Sequence, residues 1–96
     1  MKKNGRRAAN MVKIWAKVIK NGKIIKQFVY EKDGATDYSV FFEYVRDICE
    51  ALDIPTPVLI KTHLFNYAKY NTVRFTADDF VEKTDFDKLV LENLML

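Results

Sequence analysis

The sequence predicts a two-layer α+β domain, in which one long amphipathic helix packs on an antiparallel sheet. Three observations indicate this fold. Asn21-Gly22 separates two apolar-rich runs, apolar residues then recur at three- to four-residue steps over 37–52, and short β-rich runs follow Pro55 and Pro57. The 96 residues fit one domain, since compact domains commonly have about 100–150 residues. An apolar fraction of 49% is enough to build one core.

The N-terminal hairpin is the clearest local signal. Asn21-Gly22 favours the positive φ angles of a two-residue type I′ turn. With that turn the numbers of opposed residues add to 43, so Lys17 lies opposite Lys26 and Trp15 lies opposite Phe28. Because side chains alternate between the faces of a strand, we expect an aliphatic inner face and a basic, aromatic outer face. The predicted outer face consists of Lys13, Trp15, Lys17, Lys26, Phe28 and Tyr30.

The amphipathic helix is predicted over residues 37–52. Its apolar side recurs with helical spacing and consists of Tyr38, Phe41, Phe42, Val45, Ile48, Cys49 and Leu52. Thr36 or Asp37 can cap the helix, and the prolines that follow end it. We expect Phe42 to lie in the core, so that Phe42→Asp would unfold the domain.

The second half of the chain is predicted to add two or three short strands. Residues 58–70 fit either a strand that begins at Val58 or a helical turn, and the strand is favoured. Residues 72–76 form a β-rich run that could pair with it, and 76–80 resemble a capped single turn. Residues 86–94 fit an amphipathic helix or a final strand, with a strand through 89–92 favoured.

Charge and cysteine content indicate the compartment and restrict the partners. Residues 1–10 hold four basic groups and no acidic one, which predicts a disordered basic arm before a single domain over 11–96. The net charge of +3 falls to −1 without that arm, so a uniformly basic nucleic-acid binder is not indicated. The single cysteine, Cys49, fits a reducing compartment, and no apolar run is long enough to span a membrane. We therefore expect a cytoplasmic protein with no membrane partner.

No pattern in the sequence indicates catalysis, a metal site or a cofactor. The one histidine, His63, has no nucleophile or carboxylate close in sequence, and Cys49 lies on the apolar side of the helix, where we expect it to be buried and inert. The acidic cluster lacks the glycine of a calcium loop; it consists of Asp78, Asp79, Glu82, Asp85 and Asp87. We expect a protein that is not an enzyme.

The predicted outer face of the hairpin supports three interpretations. Other elements could cover it and turn its aromatic residues into a second small core. Aromatic anchors with cations also suit a protein interface, which would make the chain an interaction or regulatory module for a protein partner or a second copy, as in a homodimer. The same residue types bind single-stranded nucleic acid, which with the basic arm is the alternative function.

The second half of the chain resembles a group of short bacterial proteins of unknown function. The shared segments are Leu52-Asp53-Ile54-Pro55-Thr56-Pro57, Lys61-Thr62-His63, Asp79-Phe80-Val81-Glu82 and Asp85-Phe86-Asp87-Lys88-Leu89. The likeness covers most of the chain from Met11 onward. It implies a bacterial, cytoplasmic source and no particular chemistry or site residue.

Overall fold

The computed structural model describes residues 11–95, which form four strands and two helices. In chain order these are β1 (Met11–Lys20), β2 (Lys23–Asp33), α1 (Phe41–Leu52), α2 (Lys61–Tyr70), β3 (Thr72–Thr76) and β4 (Lys88–Asn93). Short 3-10 turns at Tyr38–Val40 and Ala77–Asp79 precede α1 and follow β3. The predicted α+β fold with an N-terminal hairpin is confirmed, and the predicted arm over 1–10 lies outside the described residues.

All four strands belong to one antiparallel sheet with the order β2-β1-β4-β3. The first and last strands of the described chain are therefore paired at the centre of the sheet. β2 and β3 form its two edges. The β1–β2 hairpin contributes one central and one edge strand, and so does the antiparallel pair of β3 and β4, the second hairpin. In the chain the two helices connect the first hairpin to the second.

The core lies between one face of the sheet and the two helices. Alternate residues of β1 point into it, and Val12, Ile14, Ala16 and Val18 are all buried. β4 adds Leu89 and Leu91, and β3 adds Val73 and Phe75. Helix α1 packs over β2 and α2 packs over β3, so both helices cover the same face and neither covers the opposite one.

Helix α1 begins four residues later than predicted and buries a different set of residues. Asp37 caps the preceding 3-10 turn by accepting a hydrogen bond from the Ser39 N–H at 3.0 Å. The prediction that Phe42 lies in the core is wrong, because Phe42 is 46% exposed. The buried side of α1 is centred on Phe41 and Ile48, and a helix turns about 100° per residue, which directs Phe42 away from the sheet. Tyr44, on the other flank, is buried instead.

The predicted strand beginning at Val58 is also wrong, since the structure has helix α2 at 61–70. The Nδ1 atom of His63 accepts a hydrogen bond from the Ile60 N–H at 3.1 Å and so caps the first turn. His63 and Tyr67, four residues apart, are the buried pair of the helix. Asn71 adopts a left-handed conformation with φ 61° and leads directly into β3. β3 is a strand, as predicted, but it pairs with β4. Because β4 is a strand and not a helix, the prediction of a final strand through 89–92 is confirmed.

The hairpin turn is confirmed, but the predicted register is wrong beyond it. Asn21 and Gly22 both have positive φ (53° and 77°), and Ile19 lies opposite Ile24 as predicted. A bulge then shifts the register, so that Val18 lies opposite Lys26 and all later pairs add to 44. The extra residue in β2 turns the following side chains to the opposite faces.

The bulge has a clear packing reason. In the predicted register Tyr30 would point away from the helices. In the observed register Tyr30 is buried, its ring lies 5.9 Å from that of Tyr44, and its hydroxyl donates to Oδ2 of Asp47 at 3.0 Å. Burying a large ring against α1 stabilises the shifted pairing.

Candidate protein-binding site on the N-terminal hairpin

The six residues predicted to share an outer face lie on two different faces of the sheet. Lys13, Trp15 and Lys17 lie on the open face, which the helices do not cover. The other three, Lys26, Phe28 and Tyr30, lie opposite buried residues of β1 and point toward α1. The predicted contacts of Lys17 with Lys26 and of Trp15 with Phe28 are therefore corrected: Lys17 lies opposite Gln27, and Trp15 lies opposite Val29.

On the open face, Trp15 is held by neighbours within the chain. Its indole Nε1 donates to Oε1 of Gln27 at 3.0 Å. The Nζ of Lys17 lies 4.2 Å from the centre of the indole ring and 3.1 Å from Oε1 of Glu92. The ring therefore has its polar atom paired and a cation on one face.

The open-face lysines are matched by carboxylates. Lys17 pairs with Glu92, and Lys13 lies 3.7 Å from Oε2 of Glu31. Exposed pairs of this kind contribute little to stability, but they lower the positive charge that the face presents to an anion.

Two of the inner three residues, Lys26 and Tyr30, attach β2 to α1. Nζ of Lys26 donates to the Leu52 carbonyl at 2.9 Å, which satisfies a backbone acceptor at the end of the helix. Burial and the hydrogen bond to Asp47 raise the pKa of Tyr30 to about 12. Of these three residues Tyr30 is buried, whereas Lys26 and Phe28 (36%) are exposed and have surface available to a partner.

The backbone of β2 has a free edge. The Lys13 and Ile19 carbonyls accept hydrogen bonds from Leu94 and Asp87, on the β4 side of β1. Backbone groups of successive residues point to opposite sides of a strand, so the even-numbered residues of β1 bond to β2. Their partners in β2 include Phe28 and Tyr30.

The intervening residues of β2 direct their N–H and C=O groups away from the sheet. These residues are Gln27, Val29 and Glu31. No backbone hydrogen bond from another described segment reaches them.

Among the described strands, β2 also has the largest number of exposed hydrophobic side chains. The four exposed hydrophobic side chains of β2 are Ile24 (45%), Ile25 (49%), Phe28 (36%) and Val29 (44%). Natural edge strands are usually short, charged or covered, because unpaired backbone groups attract another strand. β2 has 11 residues and charged ends, but its central stretch offers apolar side chains on both faces.

A cleft of about 470 Å³ adjoins the turn-proximal part of β2. Its apolar walls include Val18, Ile25 and Phe86, and its rim carries acidic and basic side chains, Asp53 and Lys83 among them. The volume is within the range of ligand pockets. Because both charge signs occur on the rim, the cleft suits a largely apolar side chain better than a strongly charged ligand.

His63 has a structural position. Its Nε2 lies 3.4 Å from Oδ2 of Asp79, and its ring lies 4.5 Å from that of Phe75. The same Asp79 oxygen accepts a hydrogen bond from the Thr76 N–H at 2.8 Å. With Nδ1 bonded to Ile60, both ring nitrogens are engaged in joining α2 to the turn after β3.

Cys49 is fully buried, as expected, and burial raises the pKa of its thiol to about 12. A thiol with that pKa is almost entirely protonated near neutral pH and is a poor nucleophile. Within residues 11–95, no three side chains of the His, Cys, Asp or Glu type are grouped so that they could hold a metal ion. In the same part of the chain, neither helix has the length and apolar character needed to cross a membrane.

Comparison with known proteins identifies no relative: no family model, curated protein or solved structure matches this chain. The resemblance to a group of bacterial proteins therefore stays a prediction.

The free edge of β2 was not found from the sequence, because strand order depends on contacts between distant segments. The bulge had one local signal. Ile24 and Ile25 are consecutive apolar residues directly after the turn, where strict alternation would direct one of them to each face. Two adjacent β-branched residues at that place are compatible with a bulge as well as with a regular hairpin.

Proposed function

We propose that this chain is a non-enzymatic protein-interaction module, which binds an extended segment of polypeptide along the free edge of β2. The observation that supports this most directly is the combination of unpaired backbone groups at Gln27, Val29 and Glu31 with exposed apolar side chains on the same strand. The proposed surface overlaps the hairpin surface predicted from the sequence. It is centred on the edge of the strand, however, and not on one face.

Addition of a strand explains how such a site would obtain affinity and specificity. Main-chain hydrogen bonds to the edge supply affinity without regard to sequence, and side chains at alternate positions supply specificity. A bound strand would lie about 4.8 Å from β2, so one of its helix-side residues would lie next to Lys26. The cleft beside Lys26 is suited to receive that side chain.

The open face of the sheet gives less support to nucleic acid binding. Single-stranded nucleic acids stack on free aromatic rings flanked by free cations. Trp15 has Lys17 against its ring, and both Lys13 and Lys17 have carboxylate partners. A base could stack on that side of Trp15 only after Lys17 had moved away.

Both ring nitrogens of His63 have partners within the chain, and the raised pKa of Cys49 keeps its thiol protonated. Both observations support a binding role in preference to catalysis.

The proposal is tested with Val29→Pro. Proline removes one outward N–H and places a ring at the edge, which an edge strand tolerates but an added strand does not. Val81→Pro is the matched control, because Val81 is 88% exposed in a loop outside the strands. A displayed library of linear peptides is selected on the unaltered protein, and the enriched peptides are then measured on all three proteins.

We expect enriched peptides to bind the unaltered protein and Val81→Pro equally, and Val29→Pro about tenfold or more weakly, as the loss of one or two hydrogen bonds implies. Peptides that bind all three proteins alike, or no enrichment at all, would contradict the proposal. Salt-dependent binding of single-stranded oligonucleotides that is weakened by Lys17→Gln but not by Val29→Pro would assign the function to the open face instead.

A further inference from the structure

We infer that the strand that occupies the edge of β2 is β2 of a second copy of this chain, paired antiparallel about a twofold axis. The inference rests on the proposed function and specifies its partner. The two sheets would then form one continuous sheet, with β2 and its symmetry mate at the centre.

The charges of β2 support an antiparallel pairing with itself. The first part of the strand carries Lys23 and Lys26, and the last part carries Glu31 and Asp33 with Lys32 between them. Antiparallel pairing brings the positive first part of each copy beside the acidic last part of the other. A parallel pairing would instead bring like charges together, which is unfavourable for directly opposed residues.

Lys23 and Asp33 are both exposed, and neither has an ion-pair partner among residues 11–95. Because the bulge places Lys23 on the helix side of the sheet and Asp33 on the open side, they contribute a general attraction between the ends of two antiparallel strands and not a directly opposed ion pair.

The apolar centre of β2 identifies the register. Opposed residues of an antiparallel pair lie on the same face of the sheet, so one residue of β2 must lie opposite its own copy, with the axis midway between the two. Centring on Phe28 sets the two exposed Phe28 rings side by side, and the outward backbone groups of Gln27 meet those of Val29 in the other copy. Centring on Val29 would instead oppose Lys26 to Lys32 of the second copy. The register about Phe28 avoids that repulsion.

The expected dimer is weak and depends on concentration. The bulge at Ile25 interrupts the regular edge, so the flat part of the ladder is short. Paired edge strands bury less surface than the roughly 1,600 Å² of a standard interface. We therefore expect a dissociation constant in the range of about 1–100 μM.

The first test is the mass of the full chain in solution as a function of concentration, measured by sedimentation up to about 500 μM, well above that range. We expect the mass to rise from 11.3 kDa toward twice that value, and we expect Val29→Pro to stay monomeric while Val81→Pro dimerises. Under oxidation, Phe28→Cys should form a disulfide between copies, because Cα atoms of non-hydrogen-bonded antiparallel pairs lie about 4.5 Å apart. A monomeric mass at every concentration overturns the inference.

The second test places like charges at Gln27 and Val29, which lie on the open face and oppose each other in the register about Phe28. The pair of changes Gln27→Lys and Val29→Lys sets lysines against lysines across the axis, and the pair Gln27→Glu and Val29→Glu sets acids against acids. We expect each double variant to dimerise at least about fivefold more weakly than the unaltered chain. Mixed together they oppose unlike charges, so we expect a heterodimer. Because the two variants rescue each other, misfolding cannot produce this result.

Failure of the mixture to rescue dimerisation, in a chain that does dimerise, overturns the antiparallel β2 pairing. The peptide selection described above is independent of these tests. A chain that stays monomeric but selects peptides sensitive to Val29→Pro would lose the second copy as its partner and keep the proposed function.

Discussion

Phe41 and Phe42 are chemically identical neighbours with opposite environments. The Phe41 ring is fully buried and lies 4.8 Å from that of Tyr67, whereas Phe42 is 46% exposed. Hydrophobic spacing alone could not separate them, because both fit a wide apolar side of a helix. The position of α1 on the sheet decides which of the two is buried.

We predict opposite outcomes for replacements at these two positions. Phe41→Ala should lower the free energy of unfolding by about 3–5 kcal/mol, because it removes a buried ring and leaves a cavity. Phe42→Ala should change it by less than about 1 kcal/mol, and Phe42→Asp should still give a folded protein. Urea denaturation followed by circular dichroism measures all three. A Phe42→Asp variant that is unfolded in buffer would mean that the helix is rotated relative to the described structure.

At the scale of a single element, the bulge in β2 determines which groups the hairpin offers to a partner. One inserted residue moves Tyr30 from the open face to the core and leaves Val29 exposed on the open side. It also selects which backbone amides point outward. The turn itself has the same conformation in either register, so the turn sequence does not specify the face of any residue beyond Ile25.

A proline at two adjacent positions distinguishes the two registers. In the observed register the Phe28 N–H bonds toward Ala16 and the Val29 N–H points outward. We expect Phe28→Pro to lower the free energy of unfolding by at least about 2 kcal/mol more than Val29→Pro, because it breaks a ladder hydrogen bond and leaves a buried acceptor unpaired. Thermal denaturation of both variants measures the difference. The reverse order of stability would support the register predicted from the turn.

Much of this element was nevertheless predictable. The turn, the two strands and the positions of Trp15 and Lys17 on a common face all follow from local sequence. Lys26, Phe28 and Tyr30 were assigned to the wrong face, since their orientation depends on the contact of Tyr30 with Asp47 of α1, seventeen residues away. The final strand was identified by its β-forming residues, but its location between β1 and β3 was not.

For the molecule as a whole, β4 is the strand that joins the two hairpins. It is last in the described chain, yet it pairs with β1 on one side and β3 on the other.

Between the sheet and the helices, several ionisable groups are buried in their neutral form. Burial raises the pKa of Cys49 and of Tyr30 to about 12, and it raises the pKa of Tyr67 as well.

These raised pKa values predict a loss of stability at alkaline pH. The Cys49 thiol ionises near pH 9.0 in the unfolded chain but near 12 in the folded one. Its contribution is thus fully present below pH 9 and is lost as the pH rises toward 12. The free energy of unfolding should fall by about 1.4 kcal/mol from this group between pH 7 and 10, as urea denaturation at a series of pH values would measure.

Cys49→Ala is the control for the alkaline prediction. It should lower stability at every pH through the lost packing, but the decline between pH 9 and 10 should become shallower, because the tyrosines begin to contribute only near pH 10 and above. An unchanged decline in Cys49→Ala would show that other groups cause it.

Local energetics were sufficient to predict several features from the residues alone: an α+β domain, a type I′ turn at Asn21-Gly22, an amphipathic helix ending before Pro55, and strands near residues 72–76 and 89–92. Tertiary contacts set the register of β2, the exposure of Phe42, the helical state of 61–70 and the free edge of the sheet. Each of these depends on contacts between segments far apart in the chain. Side chains such as Tyr30 and His63 gain their burial and hydrogen bonds only when those segments meet, and the free energy of these contacts exceeds the small local differences between the alternatives.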